Sequence, residues 1–201
     1  MEHFYEEIDG WFDYEEIYRQ ILEKLPHNSV IVELGCWRGK SSSYLAVEAL
    51  NQDKNFELHF VDTWGGSPEH YVDSKLVEEL NEDKIFDEFT ANLSRVPYPY
   101  KTHRMNSLDA AKLFENNSVD FVFFDTNHSF GHVSKELRLW YPKLKKGGIL
   151  SGHDYGKDTA LAVNQFFGNQ TIEVFVGKIA LSWITEKKDN SSSPPKFRMK
   201  F

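Results

Sequence analysis

Apolar runs rich in β-branched and aromatic residues alternate with segments of helical periodicity along most of this chain, and this alternation constrains the fold more than any other feature. The clearest runs, at Ser29–Leu34, Phe56–Asp62 and Val119–Asp125, have the length and composition of buried strands. Amphipathic segments separate them, as expected when crossover helices join neighbouring strands. Repeated strand–helix–strand units therefore predict an α/β fold with a parallel sheet that is covered by helices on both faces.

Weaker patterns complete the predicted sheet. A third strand is expected at Tyr100–Met105, and another at Ile149–Ser151, after a pair of glycines. Thr171–Val176 and Ile179–Thr185 predict a C-terminal antiparallel hairpin with a two-residue turn at 177–178. The predicted helices lie at Tyr14–Leu25, Lys40–Leu50, Leu108–Phe114 and Phe130–Tyr141, and around Ala160–Phe167.

Three segments do not follow this alternation of strands and helices. A length of 201 residues suits one domain, so we expect a single domain over 1–201. Within this domain, 1–28 are expected to form an N-terminal helical segment that precedes the first strand. Residues 63–99 are too many for a simple connection and predict a helical insertion, which serves either as a lid or substrate wall or as a plain elaboration of the core. The polar residues 187–201 predict a mobile tail.

Charge and cysteine content exclude some classes of function. The formal net charge of −8 argues against binding to nucleic acid or to an anionic membrane, because such proteins carry a basic face. The single cysteine, Cys36, cannot form an internal disulfide, which favours a reducing compartment. The N-terminal residues lack a signal-peptide core, and no apolar run reaches membrane-spanning length. We therefore expect a cytoplasmic protein.

A glycine loop joins the first strand to its helix. Gly35 and Gly39 stand in a Gly-x-x-x-Gly spacing, and glycines at such a turn let a ligand approach the backbone. In the dinucleotide fingerprint a glycine admits the pyrophosphate where this chain has Trp37, so the loop predicts a nucleoside pocket without phosphates. Asp62, after the second strand, could bind ribose hydroxyls or cap a turn; together with the glycine loop it favours the ribose role.

Two acids and two histidines follow two successive predicted strands. Asp125 and His128 follow the strongest strand, and His153 and Asp154 follow the next. If these strands are neighbours, their carboxyl ends place the four side chains beside one crevice. Such a set could hold a divalent cation or remove a proton from a hydroxyl. The other histidines lie in no comparable cluster and are expected to be surface or packing residues. They are His3, His27, His59, His70, His103 and His132.

Four stretches of the chain carry a resemblance to a known family. They are VELGCWRGKSS at 32–42, HFVDTWGG at 59–66, the long run at 121–155, and less distinctively the closing hairpin. In these motifs the chain resembles the class I S-adenosylmethionine-dependent methyltransferases, and more narrowly the small-molecule O-methyltransferase group related to macrocin O-methyltransferase. The resemblance implies S-adenosylmethionine as cofactor. It also implies a Rossmann-like, doubly wound, mostly parallel seven-stranded sheet with a C-terminal antiparallel hairpin.

The resemblance also implies roles for individual residues. The cofactor would be bound by residues near the ends of the first four strands: Glu33, Gly35, Cys36, Trp37, Gly39, Ser41, Asp62, Trp64, Ser107, Leu108 and Asp125. Asp125 and Asp154 match metal-binding positions of metal-dependent relatives, which often have two adjacent acids where this chain has His153-Asp154. A site of Asp125, His153 and Asp154 could therefore hold Mg²⁺ or Mn²⁺, take a softer ion, or stay without metal. His128 is the candidate general base, and Asp125 and His153 are the further catalytic candidates.

The expected activity is methyl transfer to a hydroxyl of a small molecule, such as a sugar or a sugar-bearing metabolite. The hydroxyl proton would pass to His128, or a metal would lower the pKa of the hydroxyl. Two alternatives stay open: a non-catalytic binding or assembly module with the same fold, and a less favoured NAD-dependent oxidoreductase, which Trp37 disfavours. Six aromatic residues precede residue 19 and could form a homo-oligomer surface or a cover for the active site.

Overall fold

The fold is built on one mixed sheet. The computed structural model describes residues 1–188, apart from the side chains of Pro68 and Glu69. Within these residues the sheet has seven strands in the order β3-β2-β1-β4-β5-β7-β6. They are β1 (Val30–Leu34), β2 (Glu57–Asp62), β3 (Tyr100–Arg104), β4 (Val119–Phe124), β5 (Leu144–Gly152), β6 (Glu173–Val176) and β7 (Leu181–Glu186). Strands β1 to β5 are parallel, and β7 is antiparallel to both β5 and β6. This order confirms the predicted Rossmann-like sheet and its antiparallel hairpin.

Helices cover both faces of the sheet. They are α1 (Glu15–Lys24), α2 (Lys40–Asn51), α3 (Ser74–Asn81), α4 (Lys84–Leu93), α5 (Ser107–Ala110), α6 (Phe130–Trp140) and α7 (Lys157–Phe167). The central strand β4 shows how the two cores form. Phe121 and Phe123 face the core under α1, α2 and α4, whereas Val122 and Phe124 face the core under α6 and α7. Because both faces are buried, the strand is a continuous apolar run rather than an alternating one.

The structure corrects the start of β5. The strand begins at Leu144, five residues before the predicted Ile149, and includes the pair of glycines that was expected to precede it. Gly147 has a φ of +76°, and the β4–β5 register shifts at this end of the pair. A β-bulge therefore carries the strand through the glycines, which a sequence pattern interprets as a break.

The predicted two-residue turn of the C-terminal hairpin is wrong. The connection between β6 and β7 spans 177–180, so Ile179 and Ala180 belong to the turn rather than to a strand. Their backbone N–H groups both donate to the carboxylate of Asp13. A residue far away in sequence thus determines the turn.

The segments outside the sheet pattern contain the helices that were predicted for them. Residues 1–28 include α1, and 63–99 include α3 and α4. Of the six early aromatic residues, all except Trp11 pack in or against the core, and Trp11 is 58% exposed. The formation of a homo-oligomer through this segment stays a prediction. Of these six aromatic residues, only Trp11 is exposed and available for such a contact. Most of the predicted tail, 189–201, lies outside the described residues. Among residues 1–188, no helix combines the length and apolar character needed to cross a membrane.

A buried carboxylate ties the first strand to two helices. Glu33 of β1 is fully buried and accepts hydrogen bonds from Tyr18 Oη in α1 at 2.9 Å and Ser42 Oγ in α2 at 2.5 Å. Burial raises the pKa of Glu33 to about 7, although hydrogen bonds from Ser41, Ser42 and Tyr18 oppose this rise. The folded chain therefore binds a proton at Glu33 more readily than the unfolded chain does.

We expect Glu33→Gln to remove a pH dependence of stability. The folded pKa of Glu33 lies above its unfolded value, so protonation stabilises the fold at low pH, and this contribution is lost as the pH rises through about 7. Relative to the variant, the free energy of unfolding of the wild type should fall by about 3 kcal/mol between about pH 4 and about pH 8. Urea unfolding of both proteins, without cofactor, measures this difference. Parallel pH profiles would contradict the expectation.

The end of β1 lies against the end of β4. Gly35 has a φ of +87°, and a Cβ atom at this position would overlap the carbonyl oxygen of Asp125. Only glycine satisfies both the left-handed backbone and this close approach. Gly131, in α6, offers a contrast, because a Cβ atom there would meet nothing within 4 Å.

We expect Gly35→Ala and Gly131→Ala to change stability in opposite directions. The first substitution adds steric overlap and backbone strain and should lower the free energy of unfolding by about 3 kcal/mol or more. The second fills open space in a helix and should raise it by about 0.5–1 kcal/mol. Chemical denaturation of the two variants and the wild type measures both values. Equal stability of wild type and Gly35→Ala would show that the two strand ends are not in contact.

Candidate active site

A cavity of about 710 Å³ opens at the carboxyl ends of the parallel strands. The glycine loop and the ends of β2, β4 and β5 form its floor, and the N-terminal segment, the 63–99 insertion and the 177–180 turn contribute to its walls. Open α/β sheets bind ligands at this edge, and small-molecule sites have volumes of about 300–1,000 Å³. The cavity is therefore the candidate active site.

Asp62 holds the glycine loop in place. Its Oδ2 accepts hydrogen bonds from the backbone N–H groups of Cys36 at 2.8 Å and Trp37 at 2.9 Å, and its Oδ1 accepts one from that of Trp64 at 2.8 Å. The carboxylate caps the turn and also lines the cavity. Because each carboxylate oxygen can accept more than one hydrogen bond, Asp62 keeps capacity for a ligand hydroxyl.

Burial raises the pKa of the Cys36 thiol well above its usual range, so this thiol is unreactive.

The cavity contains most, but not all, of the residues predicted to bind the cofactor. Those that line it are Gly35, Cys36, Trp37, Ser41, Asp62, Ser107 and Asp125. Those of the described chain that do not are Glu33, Gly39, Trp64 and Leu108. The indole of Trp64 is 1% exposed, packs against Phe86 and Phe89, and donates its Nε1–H to the Trp37 carbonyl at 2.8 Å. Trp64 therefore supports the glycine loop from within the core instead of facing a ligand.

Three polar side chains meet at the floor of the cavity. The Nε2 atom of His128 lies 3.3 Å from Asp125 Oδ1 and 3.3 Å from Asp154 Oδ2. The sequence predicted these residues at two neighbouring strand ends, and β4 and β5 are indeed adjacent. Burial alone would lower the pKa of His128, but the hydrogen bond with Asp125 and the charges of both acids outweigh it and raise this pKa. The histidine is thus held between two carboxylates that stabilise its cationic form.

His153 lies behind this cluster. Its side chain is 3% exposed, its Nε2 lies 2.8 Å from Asp13 Oδ1, and its Nδ1 lies 3.2 Å from Asp154 Oδ2. Burial opposes protonation, but Asp125 and Asp154 raise the pKa of His153 to about 11. The residues whose donor atoms the structure brings together are Asp125, His128 and Asp154. A metal site that includes His153 stays a prediction.

This group has the geometry to hold a divalent cation. One donor atom from each of the three residues lies within 4.8 Å of the others. Two carboxylates and one imidazole suit Mn²⁺ better than Mg²⁺, which prefers oxygen ligands. The positive charge of His153 already balances part of the negative charge of the two acids, so the group is not left unpaired without a metal.

Two histidines assigned to surface or packing roles also line the cavity. His70, from the insertion, has its ring centre 4.5 Å from that of Trp37 and stacks on Trp11 at 6.1 Å. His132, in α6, lies 3.2 Å from the fully buried carboxylate of Glu136. The spacing of His132 and Glu136, four residues apart on one helix, is a signal that could have identified this pair. No local pattern indicates His70, because its partners come from distant segments.

Comparison with known proteins agrees with this geometry. A family model described as "Methyltransferase domain" matches residues 32–155, which is more than half of the chain. No curated protein matches the chain in sequence. The O-methyltransferase NovP has a similar structure at 16% identity and a TM-score of 0.64, covering 87% of this chain and 79% of NovP.

Two further solved structures share the fold. An rRNA methylase from Streptococcus thermophilus is 11% identical with a TM-score of 0.61, covering 90% of this chain and 100% of the methylase. The protein SMU.1697c from Streptococcus mutans, solved in complex with SAH, is 12% identical with a TM-score of 0.57, covering 89% and 99% of the two chains. At such identities the likeness shows the fold alone, and the sequence match supplies the family. The chain belongs to this methyltransferase-domain family and has the fold of the S-adenosylmethionine-dependent methyltransferases.

Proposed function

We propose that this protein transfers the methyl group of S-adenosylmethionine to a hydroxyl of a small molecule. The observation that carries this proposal is the position of His128, held by Asp125 and Asp154, in the same cavity as the glycine loop and Asp62. A cofactor at the loop and an acceptor hydroxyl at His128 would share one enclosed space. Bringing the methyl donor and the acceptor together is itself a large part of catalysis.

The chemistry requires displacement at a sulfonium and removal of one proton. The acceptor oxygen forms a bond to the methyl carbon, the bond from sulfur to this carbon breaks, and neutral S-adenosylhomocysteine (SAH) leaves. The proton of the hydroxyl passes to Nδ1 of neutral His128, because the Nε2–H of this ring faces the two carboxylates. Asp125 and Asp154 then stabilise the imidazolium that results. A divalent cation, when bound by Asp125, His128 and Asp154, would instead lower the pKa of the hydroxyl.

Charge favours a small neutral acceptor over RNA. The cavity is lined by the acids Asp62, Asp73, Asp125 and Asp154, while Lys40 is the one Lys or Arg among the described lining residues. The chain as a whole carries −8. A phosphate backbone needs several basic side chains, so this lining would repel it. The cationic sulfonium of the cofactor, in contrast, is attracted by the same acids.

An aromatic rim supports a ring-shaped acceptor, and we propose a sugar or a sugar-bearing metabolite. Trp11 lines the cavity with 58% of its surface exposed, stacked on His70 with 8° between the ring planes. An exposed indole offers an apolar face to the C–H face of a pyranose, while nearby acids accept hydrogen bonds from the sugar hydroxyls.

Trp37 lines the same cavity and argues against NAD, because its indole occupies the position of the glycine that admits a pyrophosphate. A cytoplasmic location stays a prediction.

The proposed function is tested first by binding of SAH. We expect isothermal titration calorimetry to show SAH binding to the wild type and an affinity at least about 10-fold lower for Asp62→Asn, because the amide loses acceptor capacity for the ribose and the loop. Asp109→Asn, an exposed acid paired with Lys112, is the matched control and should bind like the wild type. His128→Gln tests the catalytic step separately. This variant should bind added SAH like the wild type. It should form no SAH from S-adenosylmethionine when it is given methyl glycosides that the wild type methylates. Absence of SAH binding by the wild type at high micromolar concentrations would refute the proposal.

Trp11→Ala should separate acceptor binding from cofactor binding. We expect the KM for a methyl glycoside acceptor to rise roughly 10-fold, because a stacking face is lost, while the Kd for SAH stays within about twofold. Trp11→Phe retains an aromatic face and should stay within about threefold of the wild type. Steady-state kinetics and calorimetry give the two values. A loss of SAH affinity with unchanged acceptor KM would mean that Trp11 covers the cofactor and not the acceptor.

A further inference from the structure

Two consecutive residues of the N-terminal segment reach the reactive carboxylates from behind. Tyr14 Oη donates a hydrogen bond to Asp125 Oδ2 at 2.9 Å, and Asp13 pairs with His153. Tyr14 is 2% exposed and the side chain of Asp13 is 3% exposed, so both lie away from solvent. Neither residue is among those lining the cavity. Their contacts therefore act on the site without touching a ligand in it.

Asp13 uses both of its carboxylate oxygens. Oδ1 lies 2.8 Å from His153 Nε2, and Oδ2 accepts hydrogen bonds from the backbone N–H groups of Ile179 and of Ala180, the latter at 3.1 Å. A Cβ atom at position 177 would collide with Oδ2, so Gly177 is required for the turn to approach this closely. One buried side chain thus joins the N-terminal segment, the end of β5 and the β6–β7 turn.

The contact continues through the imidazole to the candidate reactive groups. On the far side of the ring, His153 Nδ1 lies 3.2 Å from Asp154 Oδ2 and 3.7 Å from Asp125 Oδ1. Both acids contact His128 at 3.3 Å. The orientation of the His153 ring therefore determines whether its Nδ1–H faces the two carboxylates. Asp13 is the partner that fixes this orientation, because it binds the opposite nitrogen.

We infer that Asp13 is a positioning residue for methyl transfer: through His153 it sets the positions of Asp125 and Asp154 around His128. This inference rests on the proposed function. Without the Asp13 carboxylate, the buried Nε2–H of His153 would lack an acceptor, and the ring could turn away from the acids. Groups that orient a reactive residue from behind commonly change its activity by about 10- to 100-fold.

A double-mutant cycle of Asp13→Asn and His153→Gln tests the inference. The amide introduced by Asp13→Asn keeps an oxygen for the N–H groups of the turn but offers no carboxylate to His153. We expect each single variant to lower kcat at least about 10-fold, with the acceptor KM and the SAH Kd within about twofold of the wild type. The double variant should be no more than about twofold slower than His153→Gln, because Asp13 acts through that residue. Fully additive losses in kcat, or an unchanged kcat in Asp13→Asn, would overturn the inference.

A matched control and a second measurement keep this test separate from that of the function. Glu48→Gln removes another acid–histidine contact of the N-terminal segment, His3 to Glu48 at 2.7 Å, and should leave kcat unchanged. Hydrogen exchange in the absence of acceptor should be faster at 153–156 in both single variants. In His153→Gln the turn at 177–180 should stay protected, since Asp13 still binds it. If Asp13→Asn does not fold, faster exchange at 153–156 with unchanged exchange at 177–180 in His153→Gln still tests the inference.

The two proposals can fail separately. A wild type that binds no SAH and transfers no methyl group refutes the proposed function. Unchanged exchange at 153–156 in His153→Gln, or in a folded Asp13→Asn, refutes the positioning contact whether or not methyl transfer occurs.

Discussion

The close contact between the ends of β1 and β4 is the constraint on which the rest of the structure depends. The Asp125 N–H donates to the Leu34 carbonyl at 2.8 Å, and a Cβ atom at Gly35 would overlap the Asp125 carbonyl oxygen. The glycine loop and Asp125 therefore start from the same backbone junction. A ligand held at the loop is necessarily close to the Asp125 carboxylate, and neither can move far without disturbing the central strand pair. The junction thus brings the glycine loop and Asp125 to one cavity at the edge of the sheet.

The buried charge of Asp125 is tolerated because two imidazoles of opposite charge contact it. Burial opposes ionisation of Asp125, but hydrogen bonds and positive charge from His128 and His153 hold its pKa well below the usual range. Tyr14 adds a neutral hydrogen bond, and burial beside this carboxylate raises the pKa of the Tyr14 hydroxyl well above its usual range, so it stays a donor. The carboxylate is thus kept ionised without a bound metal. The two imidazoles and Tyr14 thus hold the Asp125 carboxylate at the floor of the cavity.

The local sequence pattern predicts the sheet and the glycine loop. It does not predict features of the structure that depend on a residue distant in sequence. Strands such as β4 are recognisable because burial on both faces makes the whole run apolar. The 177–180 turn was missed because Asp13, near the N-terminus, determines it. The same residue explains why His153 lies behind the cluster and His128 within it, since the direction of an imidazole ring depends on the partners of its nitrogens. Trp64 was expected at the ligand, but its indole packs on α4 in the core.

The N-terminal segment helps to build the cavity although it precedes the region that the family model matches. The family match starts at residue 32, so the preceding residues lie outside the matched region, yet they supply both Trp11 at the rim of the cavity and Asp13 behind its floor. Only Phe12 separates the exposed Trp11 from the buried Asp13, so the backbone next to Trp11 is fixed at one end by Asp13. Anchoring of Asp13 to the β6–β7 turn and to His153 therefore also limits where Trp11 can lie. A segment outside the matched family region thus contributes both to the rim of the cavity and to the support of the carboxylates at its floor.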